Sequence, residues 1–405
     1  MSFTVALSGL HAATTDLDVT ANNIANVATT GYKQSRAEFA DLFATTQQGV
    51  SSTAVGNGVR VSDVAQQFSQ GNVNFTENSL DTAINGSGFF ILSDGGAISY
   101  TRAGAFKKDN AGYITDTDGN RLQGYPALSD GTFNTGGLGD IRLLTSLSAP
   151  EPTTSAEVTL NLPSSATAPT VTPLDPADPN SFTNATPLTV YDSLGAAHTA
   201  TLYFSKTATA NTWNSQLYVD GTAVGGAQSL AYSSSGALTT PAGGKLTFPA
   251  YTPATGAAPL NMTFDFSNTT QYGDNFTVNS VIPDGFTSGR LIDINTSPTG
   301  VVEARFTNGK TQALGQIAIA NFANPQGLQQ LGNTQWAETF TSGQALRGVA
   351  GDSGVGNLQS GALEASNVDI TSQLVNMITA QRNFQANAQV ISTSDQITQT
   401  IINIR

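Results

Sequence analysis

The sequence predicts a mixed, mainly β fold, with discontinuous β-rich domains nested in the middle of the chain and N- and C-terminal α-helices that pair as a coiled coil. Three observations point there. Apolar residues recur at alternating steps of four and three near both ends. Between the ends that period is missing, and short apolar or β-branched runs alternate with Gly, Asn and Asp turn signals. The 405 residues include 40 Gly and 16 Pro, which suits many strands joined by tight turns. A chain this long is expected to divide into about two to four domains.

At the N-terminus the stripe runs through Phe3, Leu7, Leu10, Thr14, Leu17, Ala21 and Ile24. It predicts a helix over residues 1–26, roughly 36 Å long, with Ser2 as N-cap and Gly31 as the stop. Off the stripe stand Ala6, Ala12, Ala13, Asn22, Asn23 and Ala25, and Asp16 and Asp18 are the only charges before Lys33. A solvated coiled-coil exterior normally carries Glu and Lys. These faces are instead suited to close contact on several sides. Two readings follow: the terminal helices pair within one monomer, or they pair and also pack against copies of themselves.

At the C-terminus the stripe passes through Ile370, Leu374, Met377, Gln381, Phe384, Ala388 and Ile391. It then takes an extra three-residue step through Ser394 to Ile397, followed by Ile401 and Ile404, which reads as a stammer. Ser366-Asn367-Val368-Asp369 is a capping-box-like start.

In the middle, residues 89–92, 188–191, 199–204, 216–219, 246–248 and 262–266 read as strands. Asp118-Gly119-Asn120 and Asp192-Ser193-Leu194-Gly195 read as turns. Composition shifts near residues 145 and 283. Between them stand two lysines against eight carboxylates, a balance of −6, opened by a Pro-, Ser- and Thr-rich stretch at 149–180 expected as a linker or exposed edge. The expected organisation is a terminal helical domain (1–31 with 363–405), a connector (32–70), a discontinuous β domain (71–144 with 283–362) and an acidic β domain (145–282).

Composition also sets classes aside. A net charge of −13 lacks the basic footprint of a nucleic-acid binder and does not suit an anionic membrane surface, and with no stretch of about 18 apolar residues no direct membrane insertion is expected. With no cysteine, thiol nucleophiles and Cys-ligated zinc are excluded. His11 and His198 are the only histidines, and each is expected to be a packing or surface residue. Asp116-Thr117-Asp118-Gly119-Asn120 hints at a calcium loop but lacks the closing Glu, so a β-turn is expected. No catalytic, cofactor or metal site is expected. The start, Met1-Ser2-Phe3-Thr4-Val5, has neither the basic residues nor the apolar run of a signal peptide, so a cytoplasmic chain or one exported without a cleaved leader is expected.

The run Asn22-Asn23-Ile24-Ala25-Asn26-Val27-Ala28-Thr29-Thr30-Gly31-Tyr32-Lys33 resembles the N-terminal signature of the flagellar rod and hook axial protein family. Leu80-Asp81-Thr82-Ala83-Ile84-Asn85-Gly86-Ser87-Gly88-Phe89-Phe90 and Tyr100-Thr101-Arg102-Ala103-Gly104-Ala105-Phe106 resemble the opening of the family's first β domain. Gly361-Ala362-Leu363-Glu364-Ala365-Ser366-Asn367-Val368-Asp369 and Gln381-Arg382-Asn383-Phe384-Gln385-Ala386-Asn387 resemble its C-terminal signature. Several long motifs in the right order are far more specific than one short pattern.

The resemblance implies a structural subunit whose terminal helices line a tube, with the β domain as a middle layer and the acidic domain outermost. The large acidic domain is similar to the hook branch of the family, while the longer 45–58 segment is also a feature of distal rod subunits. The implied residues are Phe3, Leu7, Leu10, Leu17 and Ile24 with Ile370, Leu374, Met377, Phe384, Ile391, Ile397 and Ile401 for self-assembly. Asn22, Asn23, Asn26 and Gly31, and Glu364, Asn367, Gln381 and Arg382, carry the two family motifs. The implied partners are copies of the chain in a helical homopolymer, the flagellar rod, the hook cap, hook–filament junction proteins and the type III export apparatus, in an extracellular hook. Alternatives are a rod or junction subunit, a secreted β-rich adhesin and a secreted polysaccharide hydrolase.

Overall fold

The computed structural model describes residues 2–42, 56–128, 131–143, 147–352 and 354–403. Most of the 45–58 segment, Ile404 and the side chain of Ile401 lie outside the described residues. The chain divides into two compact units. The first comprises Met1–Thr145, Asp293–Arg305 and Thr311–Arg405; the second comprises Ser146–Ile292 and Phe306–Lys310.

In the first unit, helix α1 (Ser2–Ala25) and helix α2 (Ile370–Asn403) pack against each other. Two pairs fix their register. A Cβ on Gly9 would lie 2.6 Å from the Asn387 side chain, and Asn23 donates to Gln373 at 3.3 Å. Fourteen residues separate both members of each helix, so the helices run antiparallel. Ser2 then falls opposite about residue 394, and the last turns of α2 run past the start of α1.

Two expected helix ends are corrected. Helix α1 stops at Ala25 and not at Gly31; residues 26–32 form successive turns, with Thr29 donating to Asn26 and Tyr32 to Thr29. Gly31 has φ +69° for another reason, because a Cβ there would lie 2.5 Å from the Ala103 nitrogen. At α2 the cap is Asp369, whose Oδ1 accepts from the Ser372 N–H at 2.7 Å, and Ser366 instead accepts from the Val368 N–H.

The 32–70 stretch, read only as a connector, is an antiparallel ribbon of strands Ser35–Asp41 and Val59–Gln66 lying along α1. Ser8 meets Val59 at one end and Asn23 meets Ser35 at the other. Alternation is weak here because the ribbon is half-exposed on both faces.

The β portion of this unit is organised by strand Thr311–Asn321. Its first half pairs with Val301–Phe306 and with Arg121–Pro126; its second half pairs with Phe89–Asp94 and Leu346–Val349. One strand from late in the chain thus stitches to strands from early in it. Both faces are covered: Ile317 and Ile319 join Phe90, Leu92 and Leu122, while Ala318 and Ala320 join Phe89, Ile91 and Tyr100. A strand buried on both sides reads as an unbroken apolar run, as 89–92 does.

The second unit is a sandwich of two sheets. One is an antiparallel meander of Asn184–Tyr191, Ala197–Lys206, Thr212–Val219, Thr222–Tyr232 and Leu238–Thr240. The other centres on Ser155–Pro163, which pairs with Thr263–Asp265, Thr270–Tyr272 and Thr277–Pro283. Leu202, Phe204, Trp213 and Leu217 from the first face Val158, Leu160, Phe264 and Phe266 from the second. The 149–180 stretch is therefore more than the expected linker or edge. Its Pro and Ser content masks the alternation of Ala156, Val158, Leu160 and Leu162, all in the core.

Candidate functional site

The two terminal motifs meet at one buried carboxylate, with Gly31 and Lys33 from the first bonding Glu364 of the second. Glu364 lies on strand Ala362–Glu364, which pairs with Val73–Phe75 and so is carried beneath the chain entering from α1. Its Oε1 accepts from Lys33 Nζ at 2.6 Å and from the Gly71 N–H at 2.9 Å; its Oε2 accepts from Arg102 at 3.2 Å. Lys33 and Glu364 side chains are fully buried. Burial pulls the Lys33 ammonium and the Arg102 guanidinium below their ordinary values, and the Glu364 carboxylate opposes the pull. Lys33 also donates to the Ser69 carbonyl and Arg102 to the Gly86 carbonyl, while the buried Arg102 Nε has no hydrogen-bond partner. The Gly31 N–H also donates to the Glu364 backbone.

Two amides complete this clasp. Asn367 accepts from the Gln34 N–H at 2.8 Å and donates to the Gln67 carbonyl at 2.8 Å, tying both strands of the ribbon, at the end where Ser35 pairs with Gln66, to the entry of α2. Asn23, buried at the end of α1, accepts from the Ser35 N–H and the Tyr32 hydroxyl and donates to the Ser35 carbonyl and Gln373. Asn22 and Asn26 bond each other at the turn. Gln381 and Arg382 stand apart from the clasp, exposed on α2. Sequence reasoning did not name Lys33, Arg102 or Gln373 as site residues. The first two stood inside the quoted motifs, and their signal was a lone Lys and Arg in nearly uncharged runs.

The helix seam differs from the apolar stripe. On α1 the residues turned to the fold are Ala6, Gly9, Ala13, Asp16, Thr20 and Asn23, each one position before the large-residue stripe and so about 100° round the helix. Small residues let the two backbones come close, as the Gly9–Asn387 contact requires. Burial there raises the Asp16 carboxyl above its usual value. On α2, Gln373, Ala380, Met377, Phe384, Ala388 and Ile391 turn inward to varying depth. Phe3 is 50% and Leu7 38% exposed; Leu10, Leu17 and Ile24 are half-buried. Ile370, Leu374, Val375, Ile378, Val390, Ile397 and Ile402 are exposed along α2. The arrangement presents apolar side chains on a rigid, polar-clasped helix pair.

Other candidates resolve into structure. Asp116 accepts from the Asp118 and Asn120 N–H groups, which makes the 116–120 loop a turn. Among the described residues no group of three or more His, Cys, Asp or Glu is placed to hold a metal. His11 is exposed on α1, whereas His198 is buried between Asp220, at 2.6 Å, and Asp192, at 3.2 Å.

Comparison with known proteins then decides the family. Residues 3–33 match the flagella basal body rod protein model, 83–173 the flagellar hook protein FlgE/F/G D1 domain, 161–286 the flagellar basal body protein FlaE D2 domain and 359–404 the flagellar basal body rod FlgEFG protein C-terminal model. Flagellar hook protein FlgE of Escherichia coli K12 is 40% identical over 420 residues, spanning all of both chains. The chain belongs to the flagellar hook protein family. The Salmonella typhimurium member is 39% identical over the full length of both, and that of Borreliella burgdorferi 31% over 98% of each. The crystal structure of Helicobacter pylori flagellar hook protein FlgE2 has the same fold over 72% of this chain and all of that one, at a TM-score of 0.54 and 14% identity. This family member is thus a structural hook subunit, located in the flagellum. No helix among its described residues is long and apolar enough to cross a membrane.

Proposed function

We propose that the chain polymerises into a flexible tube outside the cell that carries motor torque from the flagellar rod to the filament, and that α1 and α2 form the tube's inner wall. The observation that carries this is the division of α1 into two stripes. Small residues pair with α2, and larger ones are left partly in water. Covering the part of one such Phe or Leu that is still exposed is worth about 1 kcal/mol, so many such side chains acting together supply an assembly drive. The monomer alone has no use for them.

The second unit contributes a different surface. It is low in charge and rich in Ser, Thr and Asn, so contacts through it can shift register without breaking desolvated ion pairs. Bending of a rotating tube requires such shifts. Its neighbours in the flagellum are proposed to be the rod, the cap under which subunits add, the junction proteins and the type III export apparatus.

Electron microscopy of the seeded full chain beside a version lacking residues 1–31 and 363–405 tests the reading. Curved tubes from the full chain and none from the truncated one are expected. Straight, rigid tubes would contradict a flexible joint, and tubes from the truncated chain would contradict assembly through the helices.

A further inference from the structure

Three Asn-Gly pairs occur in the chain: Asn57-Gly58, Asn85-Gly86 and Asn308-Gly309. Such a pair can rearrange without an enzyme, because glycine has no side chain to shield its backbone nitrogen from the asparagine before it. The reaction needs two freedoms. The glycine N–H must be free to give up its proton, and the asparagine amide carbon must be free to swing onto that nitrogen. Hydrogen bonds to either group have to be broken first, which slows the reaction.

Two of the pairs are locked. The Gly86 N–H donates to Gln70 Oε1 at 3.0 Å, the Gly86 carbonyl accepts from Arg102 at 2.7 Å, and Asn85 is paired with Asn357 on the neighbouring strand. The Gly309 N–H donates to the Phe306 carbonyl at 3.0 Å, while the Asn308 amide donates to the Thr287 carbonyl and accepts from the Lys310 N–H. A Cβ on Gly289 would lie 2.8 Å from Asn308 Cγ, so the carbon to be attacked is also packed over. The third pair differs. Asn57 is exposed, and among the described residues neither its side chain nor the Gly58 N–H has a hydrogen-bond partner. Glycine is required at 58, which has φ +105° and where a Cβ would clash with Ser8 Oγ, so the susceptible pair is kept by the fold itself.

We infer that Asn57 is a built-in modification site, which deamidates to aspartate and isoaspartate with water as the sole co-reactant. The deprotonated Gly58 nitrogen attacks Asn57 Cγ, the bond from Cγ to the side-chain nitrogen breaks, and that nitrogen leaves as ammonia. Water then opens the resulting five-membered imide. Opening at Cγ leaves aspartate; opening at the backbone carbonyl leaves isoaspartate, whose main chain runs through Cβ and Cγ. Either product adds one negative charge, and isoaspartate also adds a backbone atom. The change falls at a constrained place. The Asn57 N–H donates to the Leu42 carbonyl at 2.6 Å, the Gly58 carbonyl accepts from the Leu42 N–H at 2.9 Å, and the next N–H, of Val59, meets Ser8 Oγ of α1 at 3.2 Å. An extra atom between these bonds shifts the register in which the ribbon lies on α1. The inference does not depend on the hook reading.

The test compares the three pairs within one full-length chain. The chain is incubated at mildly alkaline pH, folded and in urea, and peptide mass spectrometry follows conversion of amide to acid at each pair over time. In urea the three pairs are expected to react at similar rates. In the folded chain Asn57 is expected to keep most of that rate, while Asn85 and Asn308 slow by about tenfold or more, as the loss of one or two hydrogen bonds requires. In parallel, Asn57→Gln, whose longer side chain closes the ring poorly, is expected to remove the fastest acidic shift of the intact folded chain in isoelectric focusing. Equal rates at all three pairs in the folded chain would overturn the inference. So would an Asn57 as slow as the other two, or an Asn57→Gln chain that gains negative charge as fast as the wild type.

Discussion

The β unit of Ser146–Ile292 and the paired chain ends are stabilised by opposite chemistry. The β unit closes two sheets over a dry core in which Phe204, Trp213, Leu217 and Phe264 are fully buried. The ends bury a carboxylate with two cations, an asparagine and a stripe of alanine and glycine, and leave Phe3, Leu7 and seven large residues of α2 exposed. The β unit has a core of its own, although Leu147, Leu194, Tyr272, Ile282 and Ile292 stand exposed on its surface. The helix pair places small residues in its seam and large ones outward, which is the feature behind the proposed contacts with further copies. What differs is what fills the seam: large apolar side chains in the β unit, small and polar ones between the helices.

The sharpest way to break this contrast is to remove the carboxylate at its centre. Glu364→Ala leaves Lys33 and Arg102 buried without their partner and is expected to destabilise the first unit by about 3–5 kcal/mol, read by urea denaturation. An unchanged midpoint would mean that the clasp does not hold the ends. A core truncation in the other unit, Phe204→Ala, is expected to cost a similar ~3–5 kcal/mol while leaving the seeded assembly rate of folded chains intact. Leu7→Ala should do the reverse: a change below about 1 kcal/mol in monomer stability and loss of assembly in a sedimentation assay. If Leu7→Ala assembled normally, the exposed stripe would not be the interface.

A pH titration sharpens the same comparison within the β unit. At His198 burial lowers the imidazole's affinity for protons, but hydrogen bonds and charge from Asp220 and Asp192 outweigh it and raise the pKa above 6.5. That contribution is complete below pH 6.5 and is lost as pH rises through the raised value. At Asp192 burial opposes ionisation, but hydrogen bonds from Thr255, Ala196 and His198 hold it down to about 2. Its contribution is present above the ordinary 3.8 and is lost as pH falls toward 2. Denaturation midpoints of the β unit should therefore fall on both sides of an intermediate plateau, and His198→Asn should flatten the alkaline side. The smallest effect is expected at the Asn333–Thr334 turn between strands Gln329–Gly332 and Gln335–Ala337, where Thr334 sits at φ +57°: Thr334→Gly should stabilise the first unit by about 1 kcal/mol in thermal melts.

The sequence by itself determined the class of the chain ends and of the β-rich middle, but not the ribbon within 32–70 or the core strand within 149–180. The short strand-like runs at residues 89–92, 199–204 and 216–219 placed strands that the structure contains. The alternating four-and-three stripes placed both helices. Those signals are local, because a strand or helix is defined by neighbours a few residues apart. The family motifs were also legible, as was the presence of Glu364 and Asn367 within them. Only the tertiary structure decided which helical stripe pairs, since Ala6, Gly9 and Ala13 become a seam only when Asn387 comes close enough to demand small residues. It likewise decided that Lys33 and Arg102 share one carboxylate some 262–331 residues away. Charge pairing depends on distance in space and on exclusion of water, and neither is written in the spacing of residues along a chain.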